Sequence, residues 1–353
     1  MQHFETGRIH IITGDNGTGK TRFLSKTADS TQKKLKNKTS EFSRLICLSG
    51  TVFEKFPKPD KSALANIKNN YYYFGYKTNN NMFSDITPFR NIVSILINNK
   101  ISSNSMISAS KSMIDIGFSP KFKAEFRWAR GSKIEENIPS ITFNLNNITE
   151  GINKISAIKE KLNNGEIHLN KVIFEKLTDK SLYLVQDLSS GERQFLLIIL
   201  ALCFSIEEKA LILFDEPENS MHPSWQLKIS KTINKIIEDF KKETTSVIAT
   251  HSPLVVSSIP NIKNRILDFG STNDRWQQQE MSGSSINIIL KEQFKLHSSR
   301  SIDVLSVFQR CLHNLAINSP EFCTSREELK QYNLNLNEDD PLYDAYKTIM
   351  EYK

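Results

Sequence analysis

Short apolar runs and helical stripes succeed one another along this chain. Arg8-Ile9-His10-Ile11-Ile12-Thr13 is β-branched and nearly unbroken, the pattern of a strand buried on both faces. It runs through Gly14–Thr21 into a helical stretch with Phe23, Leu24 and Ala28 on one face. Further strands are predicted over Arg44–Ser49 and Tyr71–Phe74, with a turn at Asn79-Asn80-Asn81. The same order returns later. Ser181–Asp187 is a predicted strand, Gln194–Ser205 a buried helix and Ala210–Phe214 a buried strand. Ser224–Lys242 is an amphipathic helix with Ile229, Ile233, Ile236, Ile237 and Phe240 at helical spacing. Thr245–Thr250 and Arg265–Phe269 complete the strands. Strands alternating with helices predict an α/β core with a parallel sheet.

Between these halves the periodicity weakens. Residues 86–180 are rich in Asn, Ser and Lys. Ile92–Ile97 suggests a short helix, and Ile141–Leu145 a strand. Lys121–Trp128 alternates, with Phe122, Ala124, Phe126 and Trp128 on one face and Lys123, Glu125 and Arg127 on the other. An inserted α+β lobe is expected here. From Ser282 onward a helical tail is predicted, with helices over Ile286–Phe294, Ile302–Leu315 and Tyr343–Tyr352. The division expected is a core first part at 1–85, the inserted lobe at 86–180, a core second part at 181–270 and a helical region at 271–353.

Composition narrows the class. Of 353 residues 39% are apolar and 24% charged, a globular profile. The longest apolar run, Phe195–Ile206, is too short to span a bilayer, which takes roughly 20 residues. Met1–Glu5 lacks the basic start and apolar core of a signal peptide. Cys47, Cys203, Cys311 and Cys323 form no paired motif and read as reduced thiols, so a cytoplasmic location without membrane association is expected. The seven histidines show no zinc-ligand spacing. The net charge of +7 is compatible with a polyanionic partner but selects none.

Four short segments carry candidate chemistry. Gly14-Asp15-Asn16-Gly17-Thr18-Gly19-Lys20-Thr21 satisfies the phosphate-loop pattern, in which glycines let successive N–H groups face phosphate oxygens. Lys20 would serve the β- and γ-phosphates, and the Thr21 hydroxyl would ligate Mg²⁺. Leu188-Ser189-Ser190-Gly191-Glu192-Arg193-Gln194 opens a helix. By itself it fits either an anion site or a capping box of Ser189 with Glu192. In Leu211-Ile212-Leu213-Phe214-Asp215-Glu216-Pro217 an apolar strand delivers two acids at its carboxyl end. Asp215 suits a Mg²⁺ contact, and Glu216 is placed to orient or deprotonate water. Thr250-His251-Ser252-Pro253 follows another strand, where an imidazole would reach a γ-phosphate.

As an ordered set these segments resemble the ABC-type ATPases, within them the soluble group that includes Rad50, SMC and RecF proteins and the ATPase half of OLD-family nucleases. The resemblance covers roughly 1–85 and 181–270. It implies a P-loop NTPase fold of ABC type that binds and hydrolyses ATP with Mg²⁺, as a head-to-tail homodimer or higher assembly. In such a dimer Asn16, Gly17, Thr18, Gly19, Lys20 and Thr21 of one copy face Ser189, Gly191 and Glu192 of the other. Asp215 and Thr21 hold the metal, Glu216 polarises water, His251 senses the γ-phosphate and Glu218–His222 cross the interface. A glutamine loop after the second strand is not found, and Glu218-Asn219-Ser220 replaces the transporter pattern after the acid pair.

A looser resemblance joins Cys47–Pro57, Tyr72–Gly75, Ser284–Phe294 and Ser298–Ser301 to Septu-type anti-phage ATPases (PtuA-like). It implies a separate HNH-type nuclease as effector. The gap between core halves carries no sustained heptads, and only 102 residues follow His251, with no convincing nuclease acids among Glu280, Asp303 and Glu338–Asp340. The alternatives are a DNA-repair ATPase that clamps DNA directly and a transporter ATPase subunit. Lys121, Lys123, Arg127, Arg130 and Lys133, interleaved with aromatics, are a candidate nucleic-acid surface, against the preferred reading of a solvated strand face.

Overall fold

The computed structural model describes residues 4–59, 68–79, 82–129, 131, 137–147, 152–240, 243–260, 264–269, 276–278, 289, 302–336, 340 and 342–352. Two compact units divide the chain, residues 1–289 and 290–353.

In the first unit the chain forms β1 (Ile9–Thr13), α1 (Lys20–Lys36), β2 (Arg44–Ser49), β3 (Tyr71–Phe74), and a small hairpin of β4 (Lys77–Asn79) and β5 (Met82–Phe83). Then come α2 (Thr87–Asn98), α3 (Ser103–Asp115), β6 (Phe118–Trp128), β7 (Ile141–Asn144), α4 (Ile152–Asn163), β8 (Ile167–Lys176) and β9 (Leu182–Leu184). The second core half brings α5 (Ser190–Ser205), β10 (Ala210–Asp215), α6 (Pro223–Phe240), β11 (Thr245–Ala249), α7 (Pro253–Ser257) and β12 (Asn264–Asp268). The main sheet has the order β12-β1-β11-β10-β2-β3. Every pairing in it is parallel, with Ile12 opposite Ala249 and Asp215 opposite both Ala249 and Ser49. The fold is thus α/β, of P-loop NTPase type.

The local causes are plain. β1, β2, β3, β10 and β11 are buried at every position, which is why they read as unbroken apolar runs rather than alternations. α1 lies on β2, β10 and β11 and buries Leu24 and Ala28 with Leu45, Cys47, Leu211 and Leu213. α5 is buried from Gln194 to Ser205 because α2, α3, α6 and β3 surround it. Each of its fully buried Leu, Ile and Phe side chains contributes about 1.5–3 kcal/mol.

A second, antiparallel sheet of order β7-β6-β8-β9 forms the inserted lobe. Phe118, Phe122, Phe143 and Phe174 pack ring to ring on its inner face. Its outer face carries Lys123 paired with Glu125 at 2.7 Å, and Lys171 with the same carboxylate at 4.0 Å. That pattern is a salt-bridged solvated face; Arg130 and Lys133 lie outside the described residues.

Several expectations change. The strand expected over Ser181–Asp187 is confined to β9, because the Asp187 N–H turns back to Leu184 and Val185–Asp187 form the turn into α5. The helix around Ile92–Ile97 is longer, starting at Thr87 with Pro88 in its first turn. α3, α4, α7 and the long strand β8 had no place in the sequence reading. Asn79 closes β4, while Asn80 and Asn81 lie outside the described residues, as does the expected Ile286–Phe294 helix except for Ile289, which is helical and buried.

The second unit holds α8 (Ile302–Ala316), α9 (Phe322–Gln331), which was not expected, and α10 (Tyr343–Glu351). Val307, Phe308, Cys311, Phe322, Leu329 and Ile349 form its core. Among the described residues no helix is long and apolar enough to cross a membrane. Cys47, Cys203 and Cys311 are buried, Cys323 is exposed, and all four are free thiols.

Candidate functional site

The carboxyl ends of β1, β2, β10 and β11 open on one cleft of about 450 Å³. Its floor is the turn between β1 and α1. Gly14 has φ 128°, and a Cβ there would lie 2.4 Å from the Phe269 carbonyl oxygen, so only glycine passes. Gly17 and Gly19 also hold positive φ, which curls the backbone into α1. Lys20 is buried, and its ammonium donates to the carbonyls of Gly14 at 2.8 Å and Asp15 at 3.0 Å. Burial lowers its pKa, and the nearby Glu216 and Asp215 carboxylates oppose that. The Thr18 hydroxyl closes the turn on the Asp15 carbonyl at 2.8 Å.

The acids stand opposite. Asp215, the last residue of β10, accepts from the Thr21 hydroxyl through Oδ1 at 3.1 Å. Its Oδ2 is buried without a partner. Burial pushes its pKa up to about 6. An unmatched buried acceptor beside a hydroxyl is the donor set a Mg²⁺ ion takes when phosphate oxygens complete its shell. Glu216 adopts the left-handed region at φ 54°, a strained conformation for this residue, held by its N–H on the Ala249 carbonyl at 2.9 Å. The strain turns its carboxylate to His251, with Oε1 2.9 Å from Nε2. His251 Nδ1 lies 3.4 Å from the Lys20 ammonium. With the ring hydrogen on Nε2, His251 donates to the Glu216 carboxylate and its Nδ1 accepts from the Lys20 ammonium.

A third wall went unread in the sequence. The segment after β2 displays Thr51, Phe53 and Lys55 toward the cleft and turns Glu54 and Phe56 inward. Glu54 is fully buried; it accepts from the Tyr73 hydroxyl at 2.5 Å and from the Phe56 N–H at 2.8 Å. Lys77 offsets its charge at 3.6 Å. Gly50 starts the wall, and a Cβ there would sit 1.9 Å from the Glu216 carbonyl oxygen. Asn219 closes the wall from the acid turn by donating to the Gly50 carbonyl at 2.8 Å. No glutamine occupies this loop; its outward positions are Thr, Phe and Lys. The in-out alternation of Thr51–Phe56 after a buried strand was the available signal.

Ser189, Gly191 and Glu192 do not line this cleft. They form the tip of α5, a complete capping box. Ser189 Oγ accepts from the Glu192 N–H at 3.3 Å, and Glu192 Oε2 accepts from the Ser189 N–H at 3.1 Å. Lys176 of β8 pairs with Glu192 at 2.7 Å. Gly191 has only ordinary contacts around a built Cβ, the nearest at 3.7 Å. The structure therefore gathers Asn16, Gly17, Gly19, Lys20, Thr21, Glu216 and His251 at the cleft, with Asp215 just beneath. It leaves the α5 tip outside.

The family described as "AAA domain, putative AbiEii toxin, Type IV TA system" matches residues 53–257, more than half of the chain. Protein ea59 of Escherichia phage lambda is 24% identical over 278 residues, covering 71% of this chain and 47% of its own length. The chain thus spans about half the length of that curated relative. Among solved structures, cbiO1 of Clostridium perfringens, part of the ABC transporter complex cbiONQ, aligns at TM-score 0.38 and 12% identity over 82% of each chain. An Smc head bound to the C-winged helix domain of ScpA aligns at TM-score 0.34 and 12% identity, over 77% of this chain and 88% of that one.

Proposed function

We propose, for a chain that belongs to this AAA domain family, an ATPase of ABC type that closes two head-to-tail copies around ATP and couples that closure to a partner effector. One observation carries the reading. Lys20, Thr21–Asp215 and Glu216–His251 converge on one cleft, whereas the capped tip of α5 stands outside it and is free to complete a second copy's cleft.

In this reading the phosphates replace the Gly14 and Asp15 carbonyls as partners of Lys20, which recovers the charge compensation that burial withholds. The curled N–H groups of Asn16–Thr21 and the N-terminus of α1 hold the remaining phosphate oxygens. Thr21 and Asp215 would hold Mg²⁺, which neutralises charge on the phosphate oxygens. Glu216 orients the attacking water and accepts its proton, and the His251 Nε2–H fixes the carboxylate in place. Ser189, Gly191 and Glu192 of the second copy close over the γ-phosphate, so ATP favours the closed dimer and hydrolysis releases it.

The effector is a separate nuclease of HNH type, and the setting is defence against phage. The Septu-type resemblance of Cys47–Pro57 and Tyr72–Gly75 supports this, as does a family description that names a toxin of a toxin–antitoxin system. The test is turnover and particle size with and without ATP. Lys20→Ala abolishes nucleotide binding, and Glu216→Gln retains ATP and runs as a dimer. A Glu216→Gln protein that stays monomeric at saturating ATP defeats the dimer. In cells, loss of phage resistance in Lys20→Ala and co-purification with a nuclease encoded alongside are expected; full resistance in Lys20→Ala defeats the defence role.

A further inference from the structure

The resemblance to ABC-type ATPases put Glu218 at the start of the loop crossing the dimer interface, yet its carboxyl is turned inward beside the cleft, with 6% of the residue's surface exposed. The left-handed turn at Glu216 and the following Pro217 send the chain back on itself, and the Glu218 side chain drops between the ends of β10 and β11. There Oε1 accepts from the Thr250 hydroxyl at 2.6 Å and from the His251 N–H at 3.0 Å. Thr250 Oγ1 in turn accepts from the Ser252 N–H at 2.9 Å. Oε2 is buried without a partner.

These bonds join two loops that the main chain joins only weakly. The Glu216 N–H reaches the Ala249 carbonyl, and past that point the acid turn and the histidine loop diverge. Glu218 spans the divergence and holds the backbone N–H of the residue whose ring meets Glu216 at 2.9 Å. The carboxyl's own turn is fixed as well. The Asn219 N–H bonds the Glu216 carbonyl at 3.1 Å and the Met221 N–H bonds the Glu218 carbonyl at 3.0 Å. We propose that Glu218 is a positioning residue that locks the Thr250–His251 loop to the acid turn, so that Glu216 and His251 keep their contact as one rigid unit when nucleotide enters.

The acceptor, not the charge, performs this task. A buried carboxyl with one unpartnered oxygen beside the Glu216 carboxylate is poorly placed to carry a negative charge. A glutamine amide offers the same acceptor at the same reach; an aspartate falls one methylene short.

The inference rests on the proposed ATPase, and the two fail differently. If Lys20→Ala leaves turnover intact, the ATPase reading fails; if Lys20→Ala abolishes turnover and Glu218→Ala does not reduce it, only the positioning role fails. The experiment measures kcat, KM and nucleotide affinity for Glu218→Ala, Glu218→Gln and Glu218→Asp, each normalised to folded protein by circular dichroism. The expected result is a fall in kcat of about 10- to 100-fold for Ala and Asp, as displaced catalytic groups produce. Affinity for ATP stays within about threefold in all variants, and Gln regains most of the lost kcat. Where Glu218→Ala does not fold, Thr250→Val removes the hydroxyl half of the same link and is expected to lower kcat likewise, with Thr250→Ser as the control that keeps it. Wild-type kcat in folded Glu218→Ala, or in Thr250→Val when the former is unfolded, overturns the proposal. So does a Gln variant as impaired as Ala.

Discussion

His10 occupies the middle of β1 with no exposed surface, its ring edge-on to Phe4 and Trp276. Burial lowers its pKa from the usual 6.5 to about 4. The folded protein therefore holds it neutral while the unfolded chain protonates it between those values. Its contribution is complete above pH 6.5 and is lost as pH falls toward 4. Asp215 and Glu218, raised to about 6 and about 7, titrate across part of the same window with the opposite sign, so the comparison is with a variant. Relative to His10→Gln, the wild type is expected to lose about 2 kcal/mol of stability between pH 7.5 and pH 5, read from urea midpoints. Parallel pH dependences of the two proteins would contradict this. In the sequence His10 was visible only as one member of an apolar run. The neutral state comes from Phe4 and Trp276, which arrive from 6 positions before and 266 after. Lys20, Asp215, Glu216 and His251 were legible one by one because their chemistry depends on neighbours close in sequence. Glu54, Lys55 and Glu218 were not, since their partners Tyr73, Ser25 and Thr250 are set by packing.

At the level of elements, the tip of α5 carries two roles that one sequence pattern could not separate. Ser189 caps its helix, and in the proposed dimer it also faces a triphosphate. Ser189→Ala is expected to cost about 1 kcal/mol through the lost cap. Ser189→Asp keeps an acceptor for the Glu192 N–H but loses the hydroxyl that donates to Glu192 Oε2 at 2.9 Å and sets a second carboxylate beside it, so it is destabilised at least as much as Ser189→Ala. Its negative charge also opposes the γ-phosphate and prevents the ATP-dependent dimer, which Ser189→Ala leaves able to form. Melting and sizing the two variants side by side separates the roles; a Ser189→Asp protein that still dimerises with ATP removes Ser189 from the site. The elements missed in the lobe share a cause. α3 reads Ser-Asn-Ser-Met-Ile-Ser-Ala-Ser, rich in residues whose side chains compete for the backbone, and it stands because Ser102 caps it and Met106, Ala109 and Met113 are buried beneath it. β8 has a register shift opposite Glu125–Phe126, which interrupts the alternation that marks a strand.

At the level of the whole molecule, the proposed head-to-tail arrangement would make each cleft depend on two chains. Mixing Lys20→Ala with Ser189→Asp tests it, since the P-loop of one variant and the α5 tip of the other make one intact cleft per mixed dimer. Each variant alone is expected to be inactive, and an equimolar mixture to recover about a quarter of wild-type turnover, the share of intact clefts in a two-fold assembly. No recovery on mixing argues that each copy works with its own α5 tip.

The strands of the main sheet, the phosphate loop and the acid pair are set by local sequence, because a strand buried on both faces is mostly apolar and a phosphate turn must have glycine at fixed steps. Only tertiary structure decided that the loop after β2 walls the cleft, that Glu216 takes a strained backbone to meet His251, and that Glu218 ties their loops together. Those features depend on strand order in the sheet, which places β2 and β11 on either side of β10 although 160 residues separate the end of β2 from the start of β10.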